Sequence, residues 1–547
     1  AAGETSLEGA LLTSLGNTTV GLAQIEYRRA SEAGASGDRD ADTFLAKADG
    51  LNTRAIDYFK ASYDVARKQQ SVGDQLRTLL SLIPAYERAN QAPTAQQSWT
   101  VAADLLAQLP DSQLKAFAAI KLSDYLEPLA IRSLQTVLNA TPPTATTEAQ
   151  SAALLDKAIA IGEAIQNPRV LSIALGKKGN LEERAGRYDR ALADTQKARL
   201  FADQDLAAQD SLYLLEWQMG RILKAQGKST DADEAYRQAV AVLNQIRSDI
   251  LNANQSFQFD FRDTVEPIYR QYAELNLKEV PAAVSLRKGE QAFDELDTTL
   301  TTLDSLKVAE LQSYFANDCV IVPVATRVDE VGDSRATAEI NTAILSNDGS
   351  SDSPFSRQSK RSELQQLAVI ASLPDGSKKV VQTPVDSQVL EKTIKSFRDT
   401  LELGGSQYIS EYNYAPSKQL YDWLIRPFEA DFANVRTLVF VNDGLLRSIP
   451  MAALYDGDQY LIEKFAVATT PSLTLTDPQR ISMPTALSAL LMGVSEPPEV
   501  AGQPFSGLPA VDQEIAAVAE ALPDSKVLLN QEFSIAALQS ALALKDY

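Results

Sequence analysis

A thiolate nucleophile needs a base within hydrogen-bond reach, yet this chain of 547 residues holds one cysteine, Cys319, and no histidine. Imidazole is the side chain whose charge changes near neutral pH, so a Cys–His dyad cannot be assembled from these residues. Cys319 opens the apolar run Asp318-Cys-Val-Ile-Val-Pro323 and reads as a small hydrophobe at the start of a buried strand. Gly227-Lys228-Ser229-Thr230 matches the tail of a phosphate-binding loop. The preceding glycine, Gly220, is two residues too distant and sits in a helical stretch, so a turn between helices is the expectation. Asp294 with Asp297, and Glu182 with Glu183, lie on helical stretches of an acidic chain and read as solvated faces. No catalytic residue, no metal site and no cofactor is expected from these patterns.

Recognition chemistry is better represented. Trp217, Arg221 and Lys224 are spaced by four and three, which places them on one stripe of a helix. Asn180 and Glu183 hold the corresponding stripe one unit earlier. Two cations beside an indole in an acidic chain make an expected pocket for an extended acidic segment, using charge-assisted hydrogen bonds and an aromatic anchor. The competing expectation is that Trp217 packs between helices while Arg221 and Lys224 are solvated. Asp443-Gly444 and Arg447 stand at a strand end, where they either shape the edge of a cleft or serve only the turn.

The elements that must position these residues fall into two kinds. From Leu7 to about Leu311 helix formers dominate, with apolar residues three and four apart. Gly179 and Gly220, Gly186 and Gly227, Ala191 and Ala232, and Ala198 and Ala239 are each 41 residues apart. A glycine after the first helix supplies a turn and small residues let two helices cross closely, so five to seven stacked hairpins are expected. A longer loop is expected through Asp203 to Asp210, and a last pair of helices from Val284 to Phe315. Beyond that, Thr342–Leu345 and Leu367–Leu373 read as strands, the second ending at Pro374-Asp-Gly376. Leu438–Val441 reads as a strand buried on both faces, ended by an Asn-Asp-Gly turn that needs positive φ. Helical stretches around Val389–Leu401, Ala415–Leu424 and Val511–Leu522 suggest a largely parallel sheet flanked by helices. The polar, Ser-rich segment from Ser346 to Lys360 reads as a mobile loop.

A single hydrophobic core stops growing near roughly 250–300 residues, so at least two units are required. The net charge of -21 repels phosphate backbones, and without a long basic patch no nucleic-acid partner is expected. The longest apolar segments fall short of the roughly 20 residues that span a bilayer, so no membrane span is expected. One cysteine leaves the compartment open between cytoplasmic and exported. The opening Ala1-Ala-Gly-Glu is consistent with processing of a longer precursor.

The order of Tyr421-Asp-Trp423-Leu-Ile-Arg-Pro427, Thr437-Leu-Val-Phe-Val-Asn-Asp443-Gly444-Leu-Leu-Arg447-Ser-Ile-Pro450 and Tyr460-Leu-Ile-Glu-Lys464 resembles the central block of a CHAT domain. This is the caspase-like peptidase module that commonly follows tetratricopeptide (TPR) repeats. Leu490-Leu-Met-Gly-Val494, Phe505-Ser-Gly-Leu-Pro509 and Val527-Leu-Leu-Asn-Gln-Glu-Phe533 extend the resemblance. The segments around Gly179–Ala198 and Gly220–Ala239 resemble TPR units. The resemblance implies a TPR-like α-helical solenoid over residues 1–311, followed by a caspase-like α/β domain over 312–547 that is incomplete at its C-terminal end. The family's catalytic His-Gly strand and nucleophilic Cys would then lie beyond Tyr547. It implies a protein or peptide partner held by the repeats and, in the parent protein, a cysteine peptidase. A non-catalytic interaction scaffold is the alternative.

Overall fold

The computed structural model describes residues 2–36, 40–135, 144–204, 209–253, 265–315, 336–346, 364–402, 413–472, 474–475, 489–496, 499–500, 503–504, 506–508, 510–522 and 525–543. Two compact units emerge, Ala1–Asp477 and Pro478–Tyr547.

The first unit begins as a run of helical hairpins. In chain order the pairs are α1 (Ala2–Ser36) with α2 (Ala41–Lys68), α3 (Val72–Arg88) with α4 (Ala92–Gln108), and α5 (Gln113–Gln135) with α6 (Thr144–Ala164). They continue as α7 (Pro168–Arg184) with α8 (Tyr188–Ala202), α9 (Gln209–Ala225) with α10 (Ser229–Ala253), and α11 (Glu266–Lys278) with α12 (Gln291–Phe315). The 41-residue register has a direct structural cause. Gly186 and Gly227 close the α7–α8 and α9–α10 turns with φ of +72° and +74°, where a Cβ would be strained. Ala191, Ala198, Ala232 and Ala239 are all fully buried where neighbouring helices cross. Caps start several helices: the Asn167 side chain accepts from the Val170 N–H at 3.0 Å, with Pro168 in the first helical turn of α7. The Gly227–Thr230 motif is the α9–α10 turn, as its context suggested.

The hairpins lead into a six-stranded sheet of order β1-β4-β3-β2-β5-β6. Its strands are β1 (Ala283–Leu286), β2 (Thr337–Ser346), β3 (Leu364–Ser372), β4 (Lys378–Asp386), β5 (Thr437–Val441) and β6 (Ala466–Thr469). Helices cover both faces. Leu367, Val369, Ile340 and Phe440 point into a core shared with α13 (Ser387–Glu402) and α14 (Ala415–Leu424). Ala343, Leu345, Ala368 and Ile370 point the other way, against Leu277 of α11 and Leu296, Leu300 and Leu303 of α12. Burial on both faces explains the uninterrupted apolar run Leu367-Ala-Val-Ile-Ala371. The last hairpin of the array is thus also one covering layer of the sheet.

Two sequence expectations need correction. The sheet is mixed, not largely parallel: β2–β5 and β5–β6 pair parallel, while β1–β4, β4–β3 and β3–β2 pair antiparallel. The tight Pro374–Ser377 turn, with Gly376 at φ +80°, accounts for one of these pairs: it returns the chain as the β3–β4 hairpin. The expected helix pair over 284–315 is one helix, because Ala283–Leu286 adds to the sheet edge against Lys378–Val381. Cys319 and the 347–360 part of the Ser-rich loop lie outside the described residues.

In the second unit β7 (Leu490–Gly493) and β10 (Lys526–Leu529) pair parallel, with Leu491 opposite Val527. The short strands β8 (Glu499–Val500) and β9 (Gln503–Pro504) pair antiparallel, and α16 (Ala510–Ala521) and α17 (Ile535–Ala543) complete it, α15 (Leu461–Lys464) lying in the first unit. The Asn530 side chain accepts from the Ser495 and Glu496 N–H groups at 2.8 and 3.0 Å, which ties the ends of β7 and β10 together.

Candidate functional site

Four of the five residues singled out for recognition, Asn180, Glu183, Trp217 and Arg221, come together, and Lys224 lies apart from them. Glu183 of α7 and Arg221 of α9 form a two-pronged ion pair, Nε to Oε1 at 2.8 Å and Nη2 to Oε2 at 2.9 Å. The guanidinium also stacks on the Trp217 ring, 4.4 Å from its centroid. Asn180 reaches Glu183 at 3.4 Å, and the Trp217 indole N–H donates to Gln271 of α11 at 2.7 Å. The burial differs from what spacing suggested: Arg221, Trp217 and Glu183 are 5%, 1% and 6% exposed. Neither a solvated Glu183 nor a solvated Arg221 is present, because each neutralises the other between adjacent hairpins. Lys224 alone of the five keeps a partly exposed side chain, beside Glu274 and Lys278, and burial lowers its pKa.

The second cluster is built on Asp443, just past the carboxyl end of β5 and alongside Thr342 and Ile344 in the last part of its parallel neighbour β2. Sites in parallel sheets gather at such carboxyl ends. Leu438, Phe440 and Val441 are buried as the strand pattern implied, and Gly444 turns the chain with φ +52°. Arg270 of α11 grips the Asp443 carboxylate through Nη1 at 2.8 Å and Nη2 at 3.1 Å, and also donates to the Ile344 carbonyl at 3.1 Å. Asp443 Oδ2 accepts from the Ile344 N–H at 3.0 Å, and the Asp443 N–H donates to Thr342 Oγ1 at 3.0 Å. Burial alone would raise the Asp443 pKa; the Arg270 charge and these hydrogen bonds outweigh it and hold the carboxyl well below the usual range.

Two residues of α12 complete the cluster. Lys307 is 4% exposed and donates to the Val441 carbonyl at 3.3 Å. Glu310 pairs with Arg447 at 2.6 Å, and Arg447 lies 3.7 Å from Asp443. Asp304, one turn earlier, accepts from Ser472 at 2.7 Å. Arg270, Lys307, Glu310 and Asp304 were not singled out from sequence, although the signal existed: 304, 307 and 310 recur at a spacing of three alongside Leu300, Leu303 and Leu306. The arrangement locks a strand-end turn to the last hairpin of the array, and the Asp443 carboxylate is fully engaged in doing so. Among the described residues no group of three or more His, Cys, Asp or Glu side chains is arranged to hold a metal, and no helix is long and apolar enough to cross a membrane.

Lys307 makes the cluster sensitive to alkaline pH. Burial lowers its pKa from 10.5 to about 8, against the opposing pull of Asp443. Between those values the unfolded chain binds more protons at this site than the folded one, so its contribution to stability rises with pH through that window. Below about pH 8 both states are protonated and this site adds no slope. The expected result is that Lys307→Met flattens the pH dependence of the urea midpoint between pH 8 and 10. An unchanged slope would contradict the assignment.

Comparison with known proteins places part of this architecture. Residues 414–547 match the CHAT domain family. No curated protein matches the chain. Among solved structures, BtubC (BKLC) from P. vanneervenii aligns at 13% identity with a TM-score of 0.31, over 42% of this chain and 92% of its own. A structure of nearly identical TPR-like repeats from Podosopora anserina aligns at 13% identity with a TM-score of 0.28, over 41% and 96% respectively. The chain is an array of helical hairpins leading into a mixed sheet, and its residues 414–547 match the CHAT domain family.

Proposed function

We propose that residues 1–311 form a partner-binding array for a protein or peptide, and that residues 312–547 are a caspase-like module whose strand ends are held by that array. The observation that carries this reading is the Arg270–Asp443 pair, through which a helix of the last hairpin grips the turn after β5. A partner seated on the array would act on the same rigid body that positions the end of β5. Family resemblance supports peptide-bond cleavage as the parent chemistry, but no histidine is available to activate a thiol in this chain. The sealed carboxyl ends of β2 and β5, occupied by Arg270 and Lys307, favour the second reading, a non-catalytic interaction scaffold.

Two experiments address the two arms. The chain is expected to turn over no member of a diverse fluorogenic peptide library, and turnover abolished by Cys319→Ser would overturn this. A photoreactive side chain at Lys224, on the array, is expected to crosslink the natural partner, whereas one at Val389, exposed on α13, is not. Crosslinks from position 389 alone would overturn the partner-binding role of the array.

A further inference from the structure

Three tyrosines from two segments of the first unit meet at its surface. Tyr414 immediately precedes α14, and Tyr455 and Tyr460 face each other across a tight turn before α15, joined by an antiparallel bridge. The Tyr414 ring centroid lies 4.5 Å from that of Tyr455 and 6.3 Å from that of Tyr460, and the latter two are 5.3 Å apart. The ring planes are tilted by 40°, 42° and 57°, so no pair hides its faces by stacking in parallel. Tyr414 is 42% exposed, Tyr455 and Tyr460 are half-buried, and Ile462 beside them is 54% exposed. Tyrosines gathered in this way, with an apolar body and a polar tip, are the side chains that anchor protein contacts.

The charge around the rings selects the occupant. Asp456 is neutralised by Lys464, and Lys418 lies beside Gly457. Asp458, at the tip of the turn, is exposed and forms no ion pair among the described residues. Glu463, also exposed, accepts from the Tyr460 N–H at 2.6 Å. Partial burial, then the Tyr414 hydroxyl and the charges of Asp458, Asp456 and Glu463, raise the pKa of the Tyr455 hydroxyl, so the field at the rings is negative. We propose that this cluster docks an arginine-bearing segment of another protein, the guanidinium lying on a tyrosine face while its N–H groups pair with Asp458. Guanidinium suits the site better than ammonium, because it is planar, weakly hydrated and able to stack and pair at once. The chain uses the same combination internally. Arg426 lies 5.1 Å from the Tyr421 ring centroid while donating to Asp422 at 2.6 Å, and Arg221 lies on Trp217 while pairing with Glu183. The Tyr414 cluster presents the ring and the carboxylate of that combination at the surface.

Fluorescence anisotropy on the full chain tests this, with a labelled glycine–serine peptide carrying three arginines and matched peptides carrying lysine or citrulline, the uncharged counterpart of arginine. At about 0.15 M salt the arginine peptide is expected to bind with a dissociation constant below about 1 mM, the lysine peptide at least about threefold more weakly and the citrulline peptide at least about tenfold more weakly. Asp458→Lys, which leaves the rings in place, is expected to weaken the arginine peptide at least about tenfold. Tyr414→Ala should do the same, while Tyr414→Phe, which keeps the ring, should stay within about twofold of wild type. Glu391→Lys, the same charge reversal on an exposed residue of α13, should also stay within about twofold. No binding of the arginine peptide overturns the proposal. Equal weakening by Glu391→Lys and Asp458→Lys overturns it as well, since the net charge of -21 would then account for the binding. Equal affinity for the lysine or citrulline peptide overturns guanidinium recognition, and wild-type affinity of Tyr414→Ala overturns the role of the rings.

Discussion

Replacing Arg270 by methionine is expected to lower the unfolding free energy of the first unit by about 3–5 kcal/mol, the cost of leaving one member of a buried pair without its partner. Asp443 is 2% exposed, and its carboxylate takes two hydrogen bonds from Arg270 and one from the Ile344 amide. Without the guanidinium the remaining cations near the carboxylate are Lys307 and Arg447, and Arg447 is no closer than 3.7 Å. The companion variant Arg270→Met with Asp443→Asn should recover more than half of the loss. The amide removes the unpaired charge while keeping an acceptor for the Ile344 N–H. Urea unfolding followed by amide exchange of residues 437–446 measures both. An Arg270→Met midpoint equal to wild type would remove the basis for coupling the array to the turn.

Arg221→Glu is the second large expected effect. It would set two carboxylates against each other between α7 and α9, in a site where the native side chains are 4% and 5% exposed. A loss of at least about 3 kcal/mol follows from breaking a buried pair, together with a clear drop in melting temperature. Glu183→Gln should cost less, since it removes charge but keeps an acceptor for the guanidinium. Lys224→Glu, on a partly exposed side chain, should stay within about 0.5 kcal/mol of wild type. That variant therefore separates recognition from packing: weakened partner affinity at unchanged stability would assign Lys224 to the binding face. Wild-type stability of Arg221→Glu would mean that the Glu183–Arg221 pair does not hold the hairpins together.

Local periodicity reaches a long way in this protein, and its limits are specific. The glycine and alanine register at 41 residues marks turns and helix crossings, because a positive φ and a close approach each exclude larger side chains at that position whatever lies elsewhere. Leu438–Val441 with its Asn-Asp-Gly turn was equally legible, since burial on both faces and the turn geometry are written in adjacent residues. Strand direction was not: whether β3 runs with or against β2 depends on the connection between them and on pairing partners. The four residues Ala283–Leu286 are too few to show a period.

Charge placement was the least legible of all. The same Arg221 can serve a solvated face, a partner pocket or a buried pair, and only the position of Glu183, 38 residues away, decides. Arg270 and Asp443 are 173 residues apart, so no window of sequence contains both. The amino-acid order by itself determined the helical array, the β5 strand with its turn, and the absence of any histidine-based catalysis within this chain. Tertiary structure decided which charges are neutralised in the interior and that the last hairpin of the array covers the sheet. The physical reason is that apolar burial follows a local period, whereas a buried ion tolerates desolvation only beside a partner that the fold, not the neighbouring sequence, brings to it.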